Sequence, residues 1–228
     1  MKYMNCLFFF LFICFSCSDM KTKTTEEKDA VTGKDAATNS IVAQTKTILF
    51  FGNSLTAGYG LDEPSQAFPA LIQNKIDSLN LPYKVVNGGV SGETTAGGNG
   101  RIDFILKQQP LDVFILELGA NDGLRGIPLA ESRKNLQAIV DKVKAKYPDV
   151  KLVLAGMMVP PNMGKDYGTE FLNIYIDIAK KNNMTLIPFL LEGVGGEDKL
   201  NQRDGIHPTE EGHKIVAENV WIELKNIL

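Results

Sequence analysis

Four short blocks of glycine and polar residues could together perform nucleophilic catalysis. They are Gly52–Leu55, Ser91–Gly92, Gly119–Asp122 and Asp204–His207. Each block alone is a weak indication, because Ser, Gly, Asn and Asp are common in ordinary turns. Here each block follows an apolar run or precedes a helical one. Together the blocks predict hydrolysis of an ester through an activated serine.

Ser54, His207 and Asp204 are the candidate catalytic residues. A serine hydroxyl is a poor nucleophile unless a neighbouring base accepts its proton, and a carboxylate best orients that base. Asp204 precedes His207 by three residues, so its carboxylate can bond one imidazole nitrogen while the other nitrogen faces Ser54. The other histidine, His213, falls inside a predicted helix and is interpreted as structural.

Three groups are candidates to stabilise the oxyanion of a tetrahedral intermediate. They are the backbone N–H of Ser54, the backbone N–H of Gly92 and the side-chain amide of Asn121. Spacing alone leaves Gly88 or Gly89 open as a donor in place of Gly92.

The four blocks resemble those of the SGNH hydrolases, also called GDSL esterases and lipases, which supply Ser, Gly, Asn and His in this chain order. The similarity is greatest to the bacterial thioesterase I, lysophospholipase and arylesterase group, and it covers the chain from about residue 47 to its C-terminus. It implies a flavodoxin-like SGNH-hydrolase fold and a small acyl ester or thioester as substrate. The roles it implies are Ser54 as nucleophile, Gly92 and Asn121 in the oxyanion hole with Ser54, His207 as base and Asp204 as its orienting carboxylate.

One residue departs from the family pattern. The family usually has Asp where this chain has Asn53. An amide keeps the hydrogen-bonding shape but removes a negative charge beside the nucleophile, which changes the electrostatic environment of His207. The resemblance therefore leaves the pH dependence open.

Other interpretations of the same residues remain. Ser54 could cap the helix that follows it, and Ser91 is a rival nucleophile, although Glu93 occupies the last position of a Gly-x-Ser-x-Gly pattern. A carbohydrate O-acetylesterase would use the same catalytic blocks. In another functional class, the chain would be a surface-anchored binding module with a vestigial site.

An apolar segment after the fourth predicted strand is a candidate wall for an acyl or aromatic pocket, because flexible thioethers adapt to varied apolar groups. Residues of a later loop are similar candidates. The two sets are Met157, Met158, Val159, Pro160, Pro161, Met163 and Tyr167, and then Leu190, Leu191 and Val194.

Composition argues against several other classes of function. The 24 basic and 27 acidic residues give a net charge of -3, which does not favour a nucleic-acid partner. No metal is expected, because two histidines and the absence of cysteine from the predicted domain leave no convincing metal-binding cluster. No cofactor is expected either, because the glycine-rich runs at 97–100 and 193–196 lack the context of a phosphate-binding loop. Both runs are predicted to be flexible loops.

The N-terminus resembles an export signal. Residues 1–17 carry Lys2 and then an apolar block from Cys6 to Phe15, too short to span a membrane. The sequence around Cys17 resembles a bacterial lipoprotein site, which predicts an acylated Cys17 and a membrane-anchored protein in the periplasm or cell envelope; ordinary secretion is the alternative. Residues 18–45 are predicted to be a flexible tether.

Residues 46–228 are predicted to form one domain, and we expect a monomer. Short apolar runs alternate with longer amphipathic segments, which is typical of a three-layer α/β/α sandwich around a five-stranded parallel sheet. In such sheets, ligands bind beyond the carboxyl ends of the strands, where all four blocks are expected. The predicted strands are 47–51, 84–86, 113–118, 152–155 and 185–187, and the predicted helices are 68–79, 101–107, 131–147, 169–182 and 209–228.

Overall fold

The computed structural model describes residues 44–108 and 110–228. The predicted signal sequence, Cys17 and the predicted tether up to residue 43 lie outside the described residues. Five parallel strands form the sheet, as the sequence predicts. They are β1 (Lys46–Gly52), β2 (Tyr83–Gly89), β3 (Val113–Glu117), β4 (Lys151–Ala155) and β5 (Thr185–Ile187).

Helices connect the strands. In the described part of the chain they are α1 (Ser54–Ala57), α2 (Phe68–Ser78), α3 (Thr95–Ile105), α4 (Ala120–Leu124), α5 (Leu129–Lys146), α6 (Lys165–Asn182) and α7 (Glu210–Leu224). Two short 3₁₀ helices cover Pro64–Gln66 and Pro161–Met163. None of the described helices has both the length and the apolar character that a membrane crossing requires.

The order of the strands places a crevice beside β1. The sheet runs β2-β1-β3-β4-β5, so the chain moves one way from β1 to β2 and then crosses over to continue on the other side. The loops after β1 and β3 diverge at this reversal, which is where α/β sheets bind ligands. Gly52 pairs with Gly89 of β2 and with Glu117 of β3, so the three strands end at the same level.

Helices cover both faces of the sheet. Helices α2 and α7 pack together on one face, and α3, α5 and α6 form the other layer. Neighbouring residues of β1 show the two sides: the Phe50 ring lies 5.5 Å from that of Phe68 in α2, whereas the Phe51 ring lies under Arg101 of α3. Central strands buried on both faces explain the continuous apolar runs in the sequence. The edge strand β2 differs, because most of its residues are only half-buried.

The prediction of a flexible loop at residues 97–100 is wrong. These residues lie inside α3, which begins six residues earlier than the sequence predicts, at Thr95. The Thr94 hydroxyl caps the helix by accepting from the Gly97 N–H. A Cβ on Gly98 would overlap Leu118 and crowd Phe51. The glycine lets the helix approach the sheet closely, and this packing outweighs its low helix propensity.

Candidate active site

Ser54 is the first residue of α1, directly beyond the carboxyl end of β1. The side chain of Asn53 caps this short helix, since its Oδ1 accepts a hydrogen bond from the Leu55 N–H at 2.9 Å. Ser54 is therefore not the capping residue, and its hydroxyl is available for another role. The residue is almost buried, with 7% of its surface exposed.

His207 and Asp204 reach Ser54 from the loop before α7. The imidazole Nε2 lies 2.8 Å from Ser54 Oγ, and Nδ1 lies 2.7 Å from Asp204 Oδ2. With the proton on Nδ1, His207 donates to the carboxylate and presents Nε2 as an acceptor for the serine proton. The three side chains thus form a continuous relay of hydrogen bonds.

Local hydrogen bonds orient Asp204. Its Oδ1 accepts from the backbone N–H groups of Ile206 and His207 at 3.0 and 3.1 Å, while Oδ2 faces the imidazole. Partial burial acts to raise the pKa of Asp204, but the hydrogen bonds from the His207 side chain and these two N–H groups favour the carboxylate. Together they lower its pKa below the ordinary value. Asp204 is therefore ionised at neutral pH.

Gln202 joins the histidine loop to the segment after α1. Its backbone N–H donates to the His207 carbonyl at 2.7 Å, and its side-chain amide donates to the carbonyls of Tyr59 and Pro208 at 2.7 and 3.0 Å. The Tyr59 ring lies against the imidazole, with 4.8 Å between the ring centroids. Sequence reasoning missed both residues, because contacts across more than 140 positions leave no local signal.

Asn121 is the second residue of α4, which follows the carboxyl end of β3. Its Nδ2 donates to the Glu93 carbonyl at 2.9 Å, which leaves the second amide hydrogen for another acceptor. Asn121, Ser54 and His207 line the same cavity. The structure therefore brings these three predicted site residues together.

Gly92 lies in the turn after β2 and is exposed. Its φ of 78° is in the left-handed region, which favours glycine. Its carbonyl accepts from Arg125 Nη2 at 3.1 Å, and its N–H makes no hydrogen bond to any described residue. Gly92 is not among the residues that line the cavity around Ser54. The alternative donors fit less well, since Gly89 donates to Asn87 and Gly88 lies within β2.

Two buried carboxylates support the loops that carry the candidate residues. Asp122 accepts from the Thr95 N–H, the Thr95 hydroxyl and the Ser132 hydroxyl, which fixes α4 against α3 and α5. Glu117 accepts four hydrogen bonds from the segment that contains Ser54. The sequence carried a signal for Glu117, because a carboxylate at the end of an otherwise apolar strand must find buried partners.

A cavity of about 430 Å³ opens beside Ser54. Its walls are largely apolar, and they include most of the segment that the sequence predicts as a pocket wall. The predicted residues that line it are Met157, Met158, Val159, Pro160, Pro161 and Leu191, joined by Leu124, Phe189 and Ile206. The predictions for four others are wrong, because Leu190 and Val194 are fully buried in the core and Met163 and Tyr167 do not line this cavity.

His213 has no part in this site. It is buried in α7, where its Nδ1 accepts from the Phe68 N–H at 3.2 Å. Burial, with a smaller contribution from His207, lowers the pKa of His213 to about 4. Within residues 44–108 and 110–228, no three His, Cys, Asp or Glu side chains are grouped so that they could hold a metal ion.

Comparison with known proteins identifies a family of lipases and acylhydrolases and relatives named as an esterase and a thioesterase. The sequence profile of the GDSL-like lipase/acylhydrolase family matches residues 50–215. Esterase TesA of Pseudomonas aeruginosa is 39% identical over 186 residues, which are 82% of this chain and 91% of that protein. Thioesterase 1/protease 1/lysophospholipase L1 of Escherichia coli K12 is 36% identical over 176 residues, 77% of this chain and 82% of that protein.

A solved structure shares the fold. The psychrotrophic esterase EstA from Pseudoalteromonas sp., in a crystal structure inhibited by monoethylphosphonate, superimposes with a TM-score of 0.74. It is 32% identical, and the match covers 79% of this chain and 97% of that one. The relatives are enzymes, which favours hydrolysis over the binding-module alternative.

Proposed function

The chain belongs to the GDSL-like lipase/acylhydrolase family, and from this premise we propose that Ser54, His207 and Asp204 are its catalytic triad. It is an SGNH hydrolase that cleaves carboxylic ester or thioester bonds. The observation that supports the assignment of the triad is the pair of short contacts at His207, 2.8 Å to Ser54 Oγ and 2.7 Å to Asp204 Oδ2.

The reaction proceeds in two halves. Ser54 Oγ attacks the acyl carbon as His207 Nε2 takes its proton, and the imidazolium then protonates the departing alkoxide or thiolate. The acyl group is left on Ser54. A water molecule then gives its proton to His207 and attacks the acyl carbon, which releases the acid and returns the proton to Ser54.

The negative charge that develops on the acyl oxygen needs donors that are already in place. We assign this role to the backbone N–H groups of Ser54 and Gly92 and to the Asn121 amide. The free N–H of Gly92 and the unused amide hydrogen of Asn121 support this assignment.

The acyl group of the substrate would occupy the apolar cavity beside Ser54. Flexible thioethers and a proline pair form one wall, which suits an alkyl or aromatic acyl chain better than the acetyl group of a sugar. Nitrophenyl acetate and nitrophenyl octanoate separate the two substrate classes. We expect a higher kcat/KM for the octanoate, and a strong preference for acetate would instead favour a carbohydrate O-acetylesterase.

A fluorophosphonate probe tests the nucleophile directly. We expect Ser54→Ala to abolish labelling and to lower turnover of an activated ester by about 10^4-fold or more. Ser91→Ala is the matched control, because Ser91 is an exposed serine in a nearby turn, and it should keep both labelling and turnover. Labelling that persists in Ser54→Ala and disappears in Ser91→Ala would overturn the assignment.

We also propose that the protein is exported and anchored through an acylated Cys17. The apolar block from Cys6 to Phe15 and the polar residues after Cys17 support this proposal. The enzyme should appear in the membrane fraction, and Cys17→Ala should release it. A Cys17→Ala protein that stays with the membrane would exclude this anchor.

A further inference from the structure

Glu117 lies beneath the nucleophile as a completely buried carboxylate. Its Oε2 accepts from the Asn53 N–H at 3.0 Å, the Thr56 N–H at 3.3 Å and the Thr56 hydroxyl at 2.8 Å. Its Oε1 accepts from Asn53 Nδ2 at 2.8 Å. Gly52 makes room for this contact, because a Cβ there would overlap both Thr56 Oγ1 and Glu117 Oε2.

These contacts determine which way the Asn53 amide points. With Nδ2 bound to Glu117, Oδ1 must face the Leu55 N–H at 2.9 Å and Ser54 Oγ at 3.3 Å. In the opposite orientation, the amide oxygen would face the carboxylate, and the NH₂ group would face the Leu55 N–H. The nucleophile would then lie beside a donor in place of an acceptor.

We propose that Glu117 is a positioning residue for Ser54, which it controls through the orientation of the Asn53 amide. The inference rests on the proposed function, in which Ser54 is the nucleophile. With Asn53 Oδ1 beside it, the serine hydroxyl keeps its lone pairs free for the acyl carbon and its proton directed to His207 Nε2, the closer acceptor at 2.8 Å.

All four partners of Glu117 are donors, so the arrangement uses its ionised form. Burial raises the pKa of Glu117 to about 7, and the hydrogen bonds from Thr56 and Asn53 act in the opposite direction. The charged and titratable groups around it are Tyr175 of α6, Asp122 of α4, the Arg101 guanidinium near Gly52 and His207 beyond Ser54.

The pKa of Tyr175 lies well above its ordinary value, first because of burial and then because of the charges of Glu117 and Asp122. Tyr175 therefore stays neutral while Glu117 titrates. The Arg101 guanidinium is already paired with Glu93. An ionisation near neutral pH that disappears in Glu117→Gln, which keeps His207, would then belong to Glu117.

A pair of substitutions tests the proposal by exchanging the two ends of one hydrogen bond. In Glu117→Gln, the amide oxygen of the new side chain can take the place of Oε2 and accept the same three hydrogen bonds. The NH₂ group of the new side chain then faces Asn53 Nδ2, so that two donors face each other. We expect kcat to fall by about 10-fold to 100-fold, because a buried donor is left unpaired, while KM changes little. The rate of fluorophosphonate labelling should fall in parallel.

Adding Asn53→Asp to Glu117→Gln restores every partner. The carboxylate introduced at position 53 accepts from the new NH₂ group with one oxygen and from the Leu55 N–H with the other. We expect the double variant to recover kcat to within about 3-fold of the wild type, since no buried donor remains unpaired. Recovery by a second substitution reports positioning, because a general loss of packing would not be reversed by it.

Asn53→Asp alone supplies a second measurement if Glu117→Gln does not fold. Two carboxyl groups at this distance must share one proton. We expect the variant to be active while the pair holds that proton and to lose activity as pH rises, a limb that is absent from the wild-type profile. Asp122→Asn is the matched control, since Asp122 is an equally buried carboxylate that does not touch Asn53, and Asn53→Asp should not rescue it.

Two results would overturn the inference without touching the triad. One is a folded Glu117→Gln enzyme with wild-type kcat and labelling rate; the other is a folded double variant that recovers nothing, together with an Asn53→Asp profile like that of the wild type. Failure of the triad itself has a separate signature, which is labelling that persists in Ser54→Ala.

Discussion

The two halves of the candidate site are held by different means. The nucleophile side, which comprises Asn53, Ser54, Thr56 and Glu117, lies in the core, and none of the four residues exposes more than 7% of its surface. The base loop, residues 202–208, lies at the surface. The Asp204 side chain is 40% exposed, and Ile206 is 41% exposed.

Because of this difference, substitutions in the two halves should affect folding stability and reaction rate differently. The nucleophile side is fixed by hydrogen bonds to a buried carboxylate, and any change there leaves a buried polar group without a partner. The base loop is fixed by its own turn and by the bonds of Gln202 to neighbouring carbonyls, where water can replace a lost partner. Changes in the base loop should therefore affect rate without affecting folding, and changes on the nucleophile side should affect both.

His207→Ala should give the largest effect on the base loop. Without a base for the Ser54 proton, we expect kcat on an activated ester to fall by about 10^4-fold. The free energy of unfolding should change by less than about 1 kcal/mol, because the residue lies in a surface loop. Urea unfolding checks this point. A loss of stability as large as that of a core substitution would erase the distinction between the two halves.

The pH dependence of stability should sharpen the contrast. The pKa of Glu117 rises from 4.5 to about 7 on folding, so the folded protein holds this proton more tightly than the unfolded chain. Its contribution is complete below pH 4.5 and is lost as pH rises through 7, a change of ~3 kcal/mol at most.

Urea unfolding of the wild type and Glu117→Gln between about pH 4.5 and 8 measures this contribution as a difference between the two proteins. His213 has the opposite effect, because its contribution to the stability of the protein is lost as pH falls toward 4. Both proteins contain His213, so this effect cancels in the difference between their free energies of unfolding. For Asp204→Asn, the same difference should be flat over this range, because the pKa of Asp204 is lowered. The assignment of the pH-dependent stability to Glu117 would be contradicted if the difference in unfolding free energy varied with pH for Asp204→Asn and stayed constant for Glu117→Gln.

Thr56→Val removes one donor to the buried carboxylate. We expect the free energy of unfolding to fall by about 1 to 2 kcal/mol, since Glu117 loses one of its four hydrogen bonds and is completely buried, out of contact with solvent. Thr169→Val is the control, because the Thr169 hydroxyl bonds the Lys165 carbonyl on an exposed helix surface. Its stability should change by less than about 0.5 kcal/mol. If Thr56→Val and Thr169→Val lost the same amount of unfolding free energy, the buried carboxylate would depend no more on its hydrogen bond than an exposed carbonyl does.

Gln202→Ala should give the smallest effect. The base loop loses its side-chain bonds to Tyr59 and Pro208 but keeps the Asp204 turn, so we expect kcat to fall by only about 10-fold. Stability should remain close to that of the wild type. Gln137→Ala is the matched control, because Gln137 joins α5 to α6 at the surface and should leave kcat unchanged. An unchanged kcat in Gln202→Ala would mean that the turn alone orients His207.

The sequence was sufficient to predict the sheet, and the structure brings the predicted residues Ser54, Asn121 and His207 to one cavity. Continuous apolar runs between helical segments indicate buried parallel strands, and the five strands were confirmed with small shifts at their ends. Helix α3 was the main error. The glycines at its start favoured a loop, because local helix propensity was the only signal in the sequence. The helix forms because Gly98 packs closely against Leu118, a residue from a distant part of the chain.

The sequence by itself determined which residue types were available for acyl transfer and that all of them would lie beyond the carboxyl ends of parallel strands. Only the tertiary structure decided that Glu117 holds the nucleophile side, that Gln202 and Tyr59 support the base loop and that Leu190 and Val194 belong to the core. The physical reason is that strand and helix periodicity is a local property, whereas the partner of a buried polar group comes from wherever the fold brings a donor or acceptor within hydrogen-bonding distance.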